Sequence, residues 1–547
     1  MNNSTNNKVY TIKQLIDNEN LIKESFPYYK DKKYRTIDPK NNKVLKEFEY
    51  TSENKINTIL NNAKNAYISM KDNSNAFSLK SRLSKIKNLI NSFKKNKREL
   101  SEMIVTEMGK PIEEAEGEVD KITSYAEYYL ENSEEYLDPE NEINKLPNFD
   151  NKENYTLLEP LGIMFDITPW NFPYAMAMRN VIPALIAGNS IIWKPAHNVP
   201  QCALLLEKCF VEAGFENYEF QTVFIESKNI ENIISYKYVK FVSFTGSTEA
   251  GKKVGEVCGK HIKRCLLELG GSDPMLVLDD VDVEKAVDTA CKGRLRNNGE
   301  TCTSTKRIIV HDSIYTEFKK VLINKLGLNN NESANEYKVG DPMDKSNKIG
   351  PLARVDLLIN LYSQISEYLS NDKNNNENYN GFDINKEVFD VSKGNYFRPI
   401  IIENIDKNDR LYKEELFGPV FALYKCSSVD EMVEIANDTM YGLSCSVLTN
   451  DTKKGESIVR RLESGMSYIN SPSFSDPKIP FGGYKDSGFG RTSNQYIFKE
   501  VCNLKTVTID KSFKNELDNS SKPIDEKKET TKSKQTENNK KLSTNAE

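Results

Sequence analysis

The sequence predicts an α/β protein in which parallel β-sheets are covered by helices on both faces. Between residues 155 and 245, short apolar stretches with strand character alternate with stretches of helical period. A second alternation of the same kind runs from about 270 to 480. Alternating strands and helices are typical of parallel sheets that are buried on both sides. At 547 residues the chain is also long enough for about two to four domains.

The part of the chain before the first alternation is predicted to be a helical layer. Globular sequence begins near Tyr34, after a polar and Asn-rich start. From about 53 to 135, apolar residues recur at spacings of three and four, which is the period of helices with one buried face. Gly109-Lys110-Pro111 ends one of these helices, because glycine and proline interrupt a helical pattern.

The first alternation contains a stiff loop and a glycine turn. Two prolines restrict the loop Pro169-Trp170-Asn171-Phe172-Pro173. A strand over 239–244 runs into Thr245-Gly246-Ser247-Thr248, where Ser247 or Thr248 can cap the next helix. The N-terminus of a helix favours an anion, although a plain structural connection would give the same pattern. The segment is not the dinucleotide fingerprint GxGxxG.

The second alternation leads to a loop around Cys302. A predicted helix from Val283 to Arg296 runs directly into this loop. A low-complexity stretch at 371–376 is interpreted as a surface insert, and the polar chain from about 511 onward as a disordered tail.

Charge and cysteine usage exclude several classes of function. The net charge of −5 gives no electrostatic reason to expect nucleic acid or an anionic membrane as a partner. Nine cysteines are scattered without a CxxC pair and there are three histidines, so we expect no metal site and no disulfide framework. No apolar run reaches about 18 residues and no N-terminal targeting pattern is present, which favours a cytoplasmic protein without a membrane span.

One carboxylate and one thiol are candidates for catalysis. Glu268 precedes two glycines, and Cys302 follows Asn297-Asn298-Gly299-Glu300-Thr301. A cysteine thiolate is a strong nucleophile and a nearby carboxylate can act as a base. Most cysteines are nevertheless small buried hydrophobic residues, so the pair alone indicates little.

Several separate stretches together resemble motifs of the aldehyde dehydrogenases, in the order of that family and over about residues 34–510. They are Pro169-Trp170-Asn171-Phe172-Pro173, Trp193-Lys194-Pro195-Ala196, Phe244-Thr245-Gly246-Ser247, Glu268-Leu269-Gly270-Gly271, Gly299-Glu300-Thr301-Cys302, Glu415-Leu416-Phe417-Gly418-Pro419 and Pro480-Phe481-Gly482-Gly483. Two further stretches, 198–203 and 270–274, are similar to the bacterial-type succinate-semialdehyde dehydrogenase branch.

The resemblance implies a domain organisation and an assembly. It implies a Rossmann-like cofactor-binding domain from 34–145 and 163–268, and an α/β catalytic domain from 269–489. A small β oligomerisation element would come from 146–162 and 490–510, in a homodimer or homotetramer. The remaining segments are a polar N-terminal extension, 1–33, and the tail, 511–547.

The resemblance also implies the catalytic roles. Cys302 would attack the aldehyde carbonyl carbon, and the Asn171 side chain would stabilise the resulting oxyanion together with the Cys302 backbone N–H. Glu268 would activate the water that hydrolyses the thioester. The alternatives are that Asn171 only bonds its own loop and that Glu268 belongs to a surface ion pair.

The implied cofactor is NAD or NADP. Lys194 would reach the adenosine ribose, Gly246 and Ser247 would lie by the pyrophosphate, and Glu415 would hold the nicotinamide ribose, although the adjacent Glu414 is an alternative. Trp170 and Phe417 are assigned to the same cleft. Position 197 is often glutamate in NAD-preferring relatives; His197 removes its repulsion of a 2′-phosphate, so we expect NADP to be accepted.

The implied substrate is succinate semialdehyde, with Arg179 and Ser475 binding its carboxylate. If Arg179 instead forms a salt bridge on a helix surface, the enzyme is a broad-specificity aldehyde dehydrogenase. Glu300 occupies a position that is often glutamine, and a carboxylate directed at Cys302 would raise the pKa of the thiol. That possibility keeps a non-catalytic relative as a third alternative. Ser304 excludes a disulfide with Cys302.

Overall fold

The computed structural model describes residues 9–18, 33–71, 78–138, 145–216, 218–329, 335–369 and 388–513. The predicted α/β class is confirmed, and helices alternate with strands along most of this span. Two expectations concern other residues: the insert at 371–376 and the tail from 514 onward lie outside the described part of the chain.

The helices are α1 Ile12–Asp17, α2 Glu53–Lys71, α3 Leu79–Lys95, α4 Lys97–Met108, α5 Ile112–Leu137, α6 Ala175–Ala187, α7 Pro200–Glu212, α8 Ile230–Ile234, α9 Thr248–Lys260, α10 Val283–Leu295, α11 Asp312–Lys325, α12 Val355–Leu369, α13 Arg410–Lys413, α14 Val429–Asn437, α15 Thr452–Val459 and α16 Tyr496–Val501. The strands are β1 Val9–Thr11, β2 Lys33–Asp38, β3 Lys43–Glu49, β4 Lys152–Pro160, β5 Ile163–Ile167, β6 Ser190–Lys194, β7 Phe220–Thr222, β8 Val239–Thr245, β9 Arg264–Glu268, β10 Asp273–Val277, β11 Thr305–His311, β12 Val388–Asp390, β13 Ile400–Glu403, β14 Val420–Cys426, β15 Ser444–Leu448, β16 Met466–Ile469, β17 Gly488–Phe489 and β18 Cys502–Asp510.

The first sheet has the strand order β17-β9-β8-β5-β6-β7 within the described residues. Its strands are parallel except for β17, which pairs antiparallel with β9. Alternate side chains of β5 enter different cores: Met164 packs with α3 to α7, and Phe165 packs with α2, α8 and α9. Both faces are therefore covered, which explains why β5 carries apolar residues on both of its sides.

The second sheet has the order β13-β14-β11-β10-β15-β16 in the described part of the chain, and every pairing is parallel. Ile309 of β11 packs in a core with α12, whereas Ile308 packs in a second core with α10 and α11. The strand order starts near the middle and moves outward in both directions, as in doubly wound sheets.

An antiparallel ribbon joins two segments that are distant in the chain. Strand β4 pairs with β18 from Lys152 opposite Asp510 to Pro160 opposite Cys502. Leu504 and Ile509 of this ribbon are exposed, at 54% and 45%. Residues 152–160 and 502–510 thus form one two-stranded β element.

The N-terminal extension differs from a loosely attached polar segment over residues 9–18. Strand β1 pairs antiparallel with β12, and Ile12 and Leu15 of α1 are buried in the core beside α12. Thr11 and Gln14 form a capping box that starts α1. The short amphipathic pattern around Ile12 therefore reflects packing on the second sheet.

No helix among the described residues is both long enough and apolar enough to cross a membrane.

Candidate active site

A cleft lies between the two sheets and contains a cavity of about 230 Å³. The carboxyl ends of β5, β8 and β9 face it from the first sheet, which is where open α/β sheets bind ligands. The second sheet contributes loops at the amino ends of its strands. The lining residues are Pro169, Trp170, Asn171, Thr245, Gly246, Ser247, Leu269, Gly270, Cys302, Leu357, Glu415 and Phe417.

The loop that carries Cys302 has an unusual backbone. Asn297 and Asn298 have φ of 55° and 58°, and Gly299 has φ of 77°, so three successive residues are left-handed. Asparagine and glycine tolerate this region best. A Cβ on Gly299 would lie 2.5 Å from the carbonyl carbon of Gly418. The Asn297-Asn298-Gly299 sequence is therefore required by the turn that presents Cys302.

Arg294 fixes this loop to the segment after Glu415, and sequence reasoning missed it. Its buried guanidinium donates to the Val420 and Leu416 carbonyls at 2.6 and 2.8 Å and also to the Gly418 carbonyl. It also donates to the Gly299 carbonyl at 3.2 Å and to the Ser304 hydroxyl at 2.6 Å. One cation thus satisfies acceptors on both the Cys302 loop and the segment that leads into β14.

Replacing Arg294 with methionine is expected to destabilise the fold by about 3–5 kcal/mol, because the buried carbonyls would lose their donor. Thermal unfolding followed by circular dichroism measures the effect. Arg461→Met is the control, since the half-exposed Arg461 pairs with Asp430 at the surface and its loss should change stability by about 0.5 kcal/mol or less. Equal melting temperatures for the two variants would contradict the assignment.

The Cys302 thiol is partly buried in the cleft. Burial raises the pKa of Cys302 to about 11. The positive charges of Lys306 and Arg179 oppose this increase, and the negative charges of Glu415 and Glu268 add to it. The thiol at rest is therefore mostly protonated at neutral pH, and its reactivity depends on the balance among these four groups.

Asn171 is held beside the thiol by its own loop and by the cysteine loop. Its side-chain Nδ2 donates to the backbone carbonyl of Glu300 at 3.0 Å. Its own backbone carbonyl accepts from Asn297 Nδ2 at 2.9 Å. Because Asn171 and Cys302 line the same cavity, the amide is fixed where an oxyanion on a bound carbonyl would form.

Glu268 and Arg179 form a buried ion pair, between Glu268 Oε2 and Arg179 Nη2. Thr492 Oγ1 donates to Glu268 Oε1 at 2.9 Å. Burial raises the pKa of Glu268, although the Arg179 charge opposes the shift. The carboxylate is thus not part of a surface ion pair, which was the alternative for Glu268.

Arg179 does not form a salt bridge on a helix surface, which was the alternative to a role in binding the substrate. Helix α6 is buried along its whole length, so Arg179 is fully buried rather than on a helix surface. Its guanidinium lies 4.1 Å from the centre of the Phe481 ring. Its direct partner is the Glu268 carboxylate, and a buried guanidinium needs such a charge partner. Ser475 is also engaged, through a 2.6 Å hydrogen bond with the Tyr125 hydroxyl.

Arg296 is a second arginine near the site that sequence reasoning missed. Its guanidinium lies 5.9 Å from the Phe172 ring and makes only long contacts of 3.4 Å, to Thr303 Oγ1 and the Ser473 carbonyl. Among the described residues, no carboxylate forms an ion pair with it. Its position six residues before Cys302, in the same loop, is the signal that could have identified it.

The carboxylate of Glu415 faces the cleft, and that of Glu414 does not. Glu415 lines the cavity and bonds Lys306 Nζ at 2.7 Å. Glu414 instead accepts from Arg410 Nε at 2.7 Å and from Gln364 Nε2 at 2.9 Å. The two adjacent carboxylates therefore have different surroundings, and the geometry favours Glu415 as the ligand-facing one.

The N-terminus of α9 opens into the same cleft. Ser247 caps the helix, with its hydroxyl 3.4 Å from the Ala250 N–H, and Gly246 precedes it. Thr248 is buried, and its Oγ1 lies beside Gly270 and the Tyr441 side chain. Trp170 and Phe417 meet edge to face, with ring centres 5.8 Å apart, and form an apolar wall. The cleft thus has an anion-binding end beside a flat apolar surface.

Lys194 and His197 lie outside the cavity around Cys302. Lys194 ends β6, and burial lowers its pKa to about 8. His197 is exposed as a residue, but its ring is partly desolvated. This desolvation and the charges of Arg354 and Lys194 lower the pKa of His197. Near the end of β6, Lys194 therefore supplies a positive charge, and the His197 ring beside it is neutral.

Glu300 is directed away from Cys302. Its two carboxyl oxygens lie 3.1 and 3.3 Å from the Ala353 backbone N–H. Burial raises the pKa of Glu300 far above its usual range. Because the carboxyl belongs to the contact with the loop before α12, it does not suppress the thiolate, which removes the reason for a non-catalytic alternative.

Known proteins are similar to this chain in sequence and in fold. Residues 28–507 match the model of the aldehyde dehydrogenase family. The chain is 33% identical over 430 residues to the succinate semialdehyde dehydrogenase [NAD(P)+] Sad of Escherichia coli, covering 79% of this chain and 88% of that protein. It is 36% identical over 409 residues to the succinate-semialdehyde dehydrogenase [NADP(+)] of Deinococcus radiodurans, covering 75% and 81%.

Among solved structures, the succinic semialdehyde dehydrogenase from Streptococcus pyogenes in complex with NADP+ matches with a TM-score of 0.79 and 31% identity. The match covers 87% of this chain and 99% of that one. The sequence match spans both sheets and the cleft between them, and on this ground the chain belongs to the aldehyde dehydrogenase family.

Proposed function

We propose that the protein oxidises succinate semialdehyde to succinate with NAD or NADP. The observation that carries the proposal is that a thiol and an oxyanion donor, Cys302 and Asn171, line one cavity. A buried base, Glu268, adjoins it next to the lining residue Leu269. Relatives at 33% and 36% identity are succinate-semialdehyde dehydrogenases described with NAD(P)+ or NADP(+). That similarity supports the substrate class and the cofactor.

The cleft fits a dinucleotide. The capped start of α9 suits a pyrophosphate, and Glu415 suits the hydroxyls of a ribose. A Cβ on Gly270 would lie 2.6 Å from Glu415 Oε2, so glycine there keeps the carboxylate accessible. When bound, the nicotinamide supplies a hydride acceptor. His197 and Lys194 present no acid to a 2′-phosphate, which supports acceptance of NADP.

The chain's own residues carry the remaining chemistry. The Cys302 thiol first loses its proton to water. The thiolate Sγ then bonds to the aldehyde carbonyl carbon, and the carbonyl oxygen becomes an oxyanion that accepts from Asn171 Nδ2 and the Cys302 N–H. Oxidation of this adduct leaves an acyl group on Sγ as a thioester. Glu268 then takes a proton from water, whose oxygen attacks the thioester carbonyl and releases succinate and the Cys302 thiol.

We assign the substrate carboxylate to Arg296 rather than to Arg179 alone. Arg179 already pairs with Glu268, whereas Arg296 has long contacts only and lies between Phe172 and Thr303, which neighbour Asn171 and Cys302. A guanidinium fork binds both oxygens of a carboxylate. The unpartnered Nε and Nη1 of Arg179 allow it to contribute from the buried side.

Replacing Arg296 with methionine is expected to raise KM for succinate semialdehyde about 10- to 100-fold. This increase corresponds to the loss of one or two charge-assisted hydrogen bonds to the substrate carboxylate. The KM for butanal, which has the same length and no carboxylate, should change less than about threefold. Initial rates with NADP and with NAD measure both. The matched control is Arg460→Met, since Arg460 is exposed at the end of α15.

Equal increases in KM for the two aldehydes would remove the reason for naming succinate semialdehyde. The broad-specificity aldehyde dehydrogenase would then be the better assignment. Loss of activity with every aldehyde would instead indicate that Arg296 supports the Cys302 loop.

We also propose a homodimer or homotetramer in the cytoplasm. The β4–β18 ribbon, with Leu504 and Ile509 exposed, supports contact with another subunit. All nine cysteines are free thiols, which supports a reducing compartment.

A further inference from the structure

A buried ammonium group lies between the catalytic cysteine and the carboxylate of the cofactor cleft. Lys306 is the second residue of β11, and its side chain is 1% exposed. Its Nζ bonds Glu415 Oε1 at 2.7 Å and the Thr301 carbonyl at 2.9 Å, and it also bonds the Cys302 carbonyl. An ammonium has three hydrogens to donate, so all of them are used here.

Lys306 and Gly271 both contact the loop that carries Cys302. A Cβ on Gly271 would lie 2.8 Å from the Cys302 carbonyl oxygen, so glycine allows the loop to sit against the start of β10. Two of the three Lys306 bonds are to successive carbonyls of this loop. The lysine therefore fixes the backbone on which Sγ is carried, and its charge is held close to that sulfur.

We propose that Lys306 is a positioning residue that links occupancy of the ribose subsite at Glu415 to the reactivity of the Cys302 thiol. The inference rests on the proposed function, because it concerns the thiol and the cofactor cleft assigned there.

Four charged groups act on Cys302, and the two strongest are the members of this ion pair. Lys306 is the largest influence favouring the thiolate, and Glu415 is the largest charged influence opposing it. Arg179 and Glu268 form the second pair, with the same opposition of signs. At rest, each cation near the sulfur is thus largely offset by the carboxylate that it contacts.

A ligand with vicinal hydroxyls changes this balance. Hydroxyl groups that donate to Glu415 stabilise the carboxylate charge and draw it toward the ligand, which leaves Lys306 less compensated. The Cys302 thiolate then becomes more favourable while the loop remains fixed through the two carbonyl contacts. The nucleophile is consequently most reactive when the cofactor cleft is filled.

The test measures alkylation of Cys302 by iodoacetamide on the full chain, followed by mass spectrometry of the Cys302 peptide between pH 7 and 10, with and without NADP. Because only the thiolate reacts, the rate reports ionisation. For Lys306→Met we expect alkylation about tenfold slower at pH 8, which corresponds to about one pKa unit. We also expect NADP to accelerate alkylation of the parent protein and not of Lys306→Met.

Two further variants separate positioning from general stability. Glu415→Gln removes the opposing charge, so we expect faster alkylation without NADP and little further response to it. Lys306→Arg keeps the charge and should retain most of the parent rate. Unchanged alkylation profiles in Lys306→Met, or a lower melting temperature without a change in profile, would overturn the proposal.

The outcome is independent of the proposed function, because alkylation requires no aldehyde. A parent protein that oxidises no aldehyde would refute the function, even if the Lys306 variants shifted the alkylation rate as expected. A parent that oxidises aldehydes, with alkylation insensitive to Lys306, would refute this inference alone.

Discussion

Replacing Cys302 with alanine is expected to abolish aldehyde oxidation, lowering kcat by at least about 10⁴-fold. The reason is that every later step requires the carbon–sulfur bond: without it the aldehyde is a poor hydride donor. Asn171 remains in place in this variant, because its side chain bonds the Glu300 carbonyl and not the sulfur. Reduction of NADP with succinate semialdehyde measures the loss.

The chain offers a matched control in Cys426. It is also a free and buried thiol, but it lies at the end of β14 that is remote from the cleft. Cys426→Ala should keep kcat within about twofold, since it removes only a small amount of buried surface. Residual activity of Cys302→Ala within tenfold of the parent would contradict the assignment of the nucleophile.

The chemical groups of the site were predictable because each lies in a local motif. Asn171, Glu268, Cys302 and Glu415 lie next to predicted strands or in glycine-rich turns. Three of them line the cavity, and Glu268 is buried next to the lining residue Leu269. Strand and helix alternation predicted the sheets for a similar reason, since periodicity is a local property of the chain.

The partners of the buried charges were not predictable in the same way. Arg179 meets Glu268 across 89 positions, and Lys306 meets Glu415 across 109. Arg294 reaches the Val420 carbonyl across 126 positions. Which acceptors a buried cation finds depends on how two sheets pack together, and no spacing in the sequence records that contact. Local patterns therefore indicated the candidate reactive residues, but not the charged partners that shift their pKa values.

The N-terminal extension also shows that local sequence patterns do not predict long-range packing. Composition predicted a polar segment, yet Ile12 and Leu15 are buried against the second sheet. A short apolar pattern in a polar background is too weak to predict docking, because its partner surface is formed by residues near α12. Long-range packing again decided the outcome.

Replacing Glu268 with glutamine is expected to stop the reaction after the thioester forms. One equivalent of reduced cofactor per active site should appear rapidly, followed by turnover about 10²- to 10⁴-fold slower than in the parent. Glutamine has the shape of glutamate and can still accept from Thr492, but its amide cannot take a proton from water. Stopped-flow absorbance separates the burst from the steady state.

The pH dependence follows from the raised pKa of Glu268. Glu268 must be ionised to act as a base, so hydrolysis in the parent should fall as the pH is lowered through this pKa and recover above it. Glu268→Gln should lose this acidic limb, while the burst keeps the pH dependence of Cys302. Glu284→Gln, an exposed glutamate on α10, is the control and should change neither phase.

A chemical rescue identifies the blocked step. Hydroxylamine cleaves a thioester without a general base, so adding it to Glu268→Gln should restore turnover and release the hydroxamate. Cys302→Ala should not respond, because it forms no thioester. If Glu268→Gln showed neither a burst nor rescue, Glu268 would act before the thioester forms, and its ion pair with Arg179 would then serve to activate the thiol rather than water.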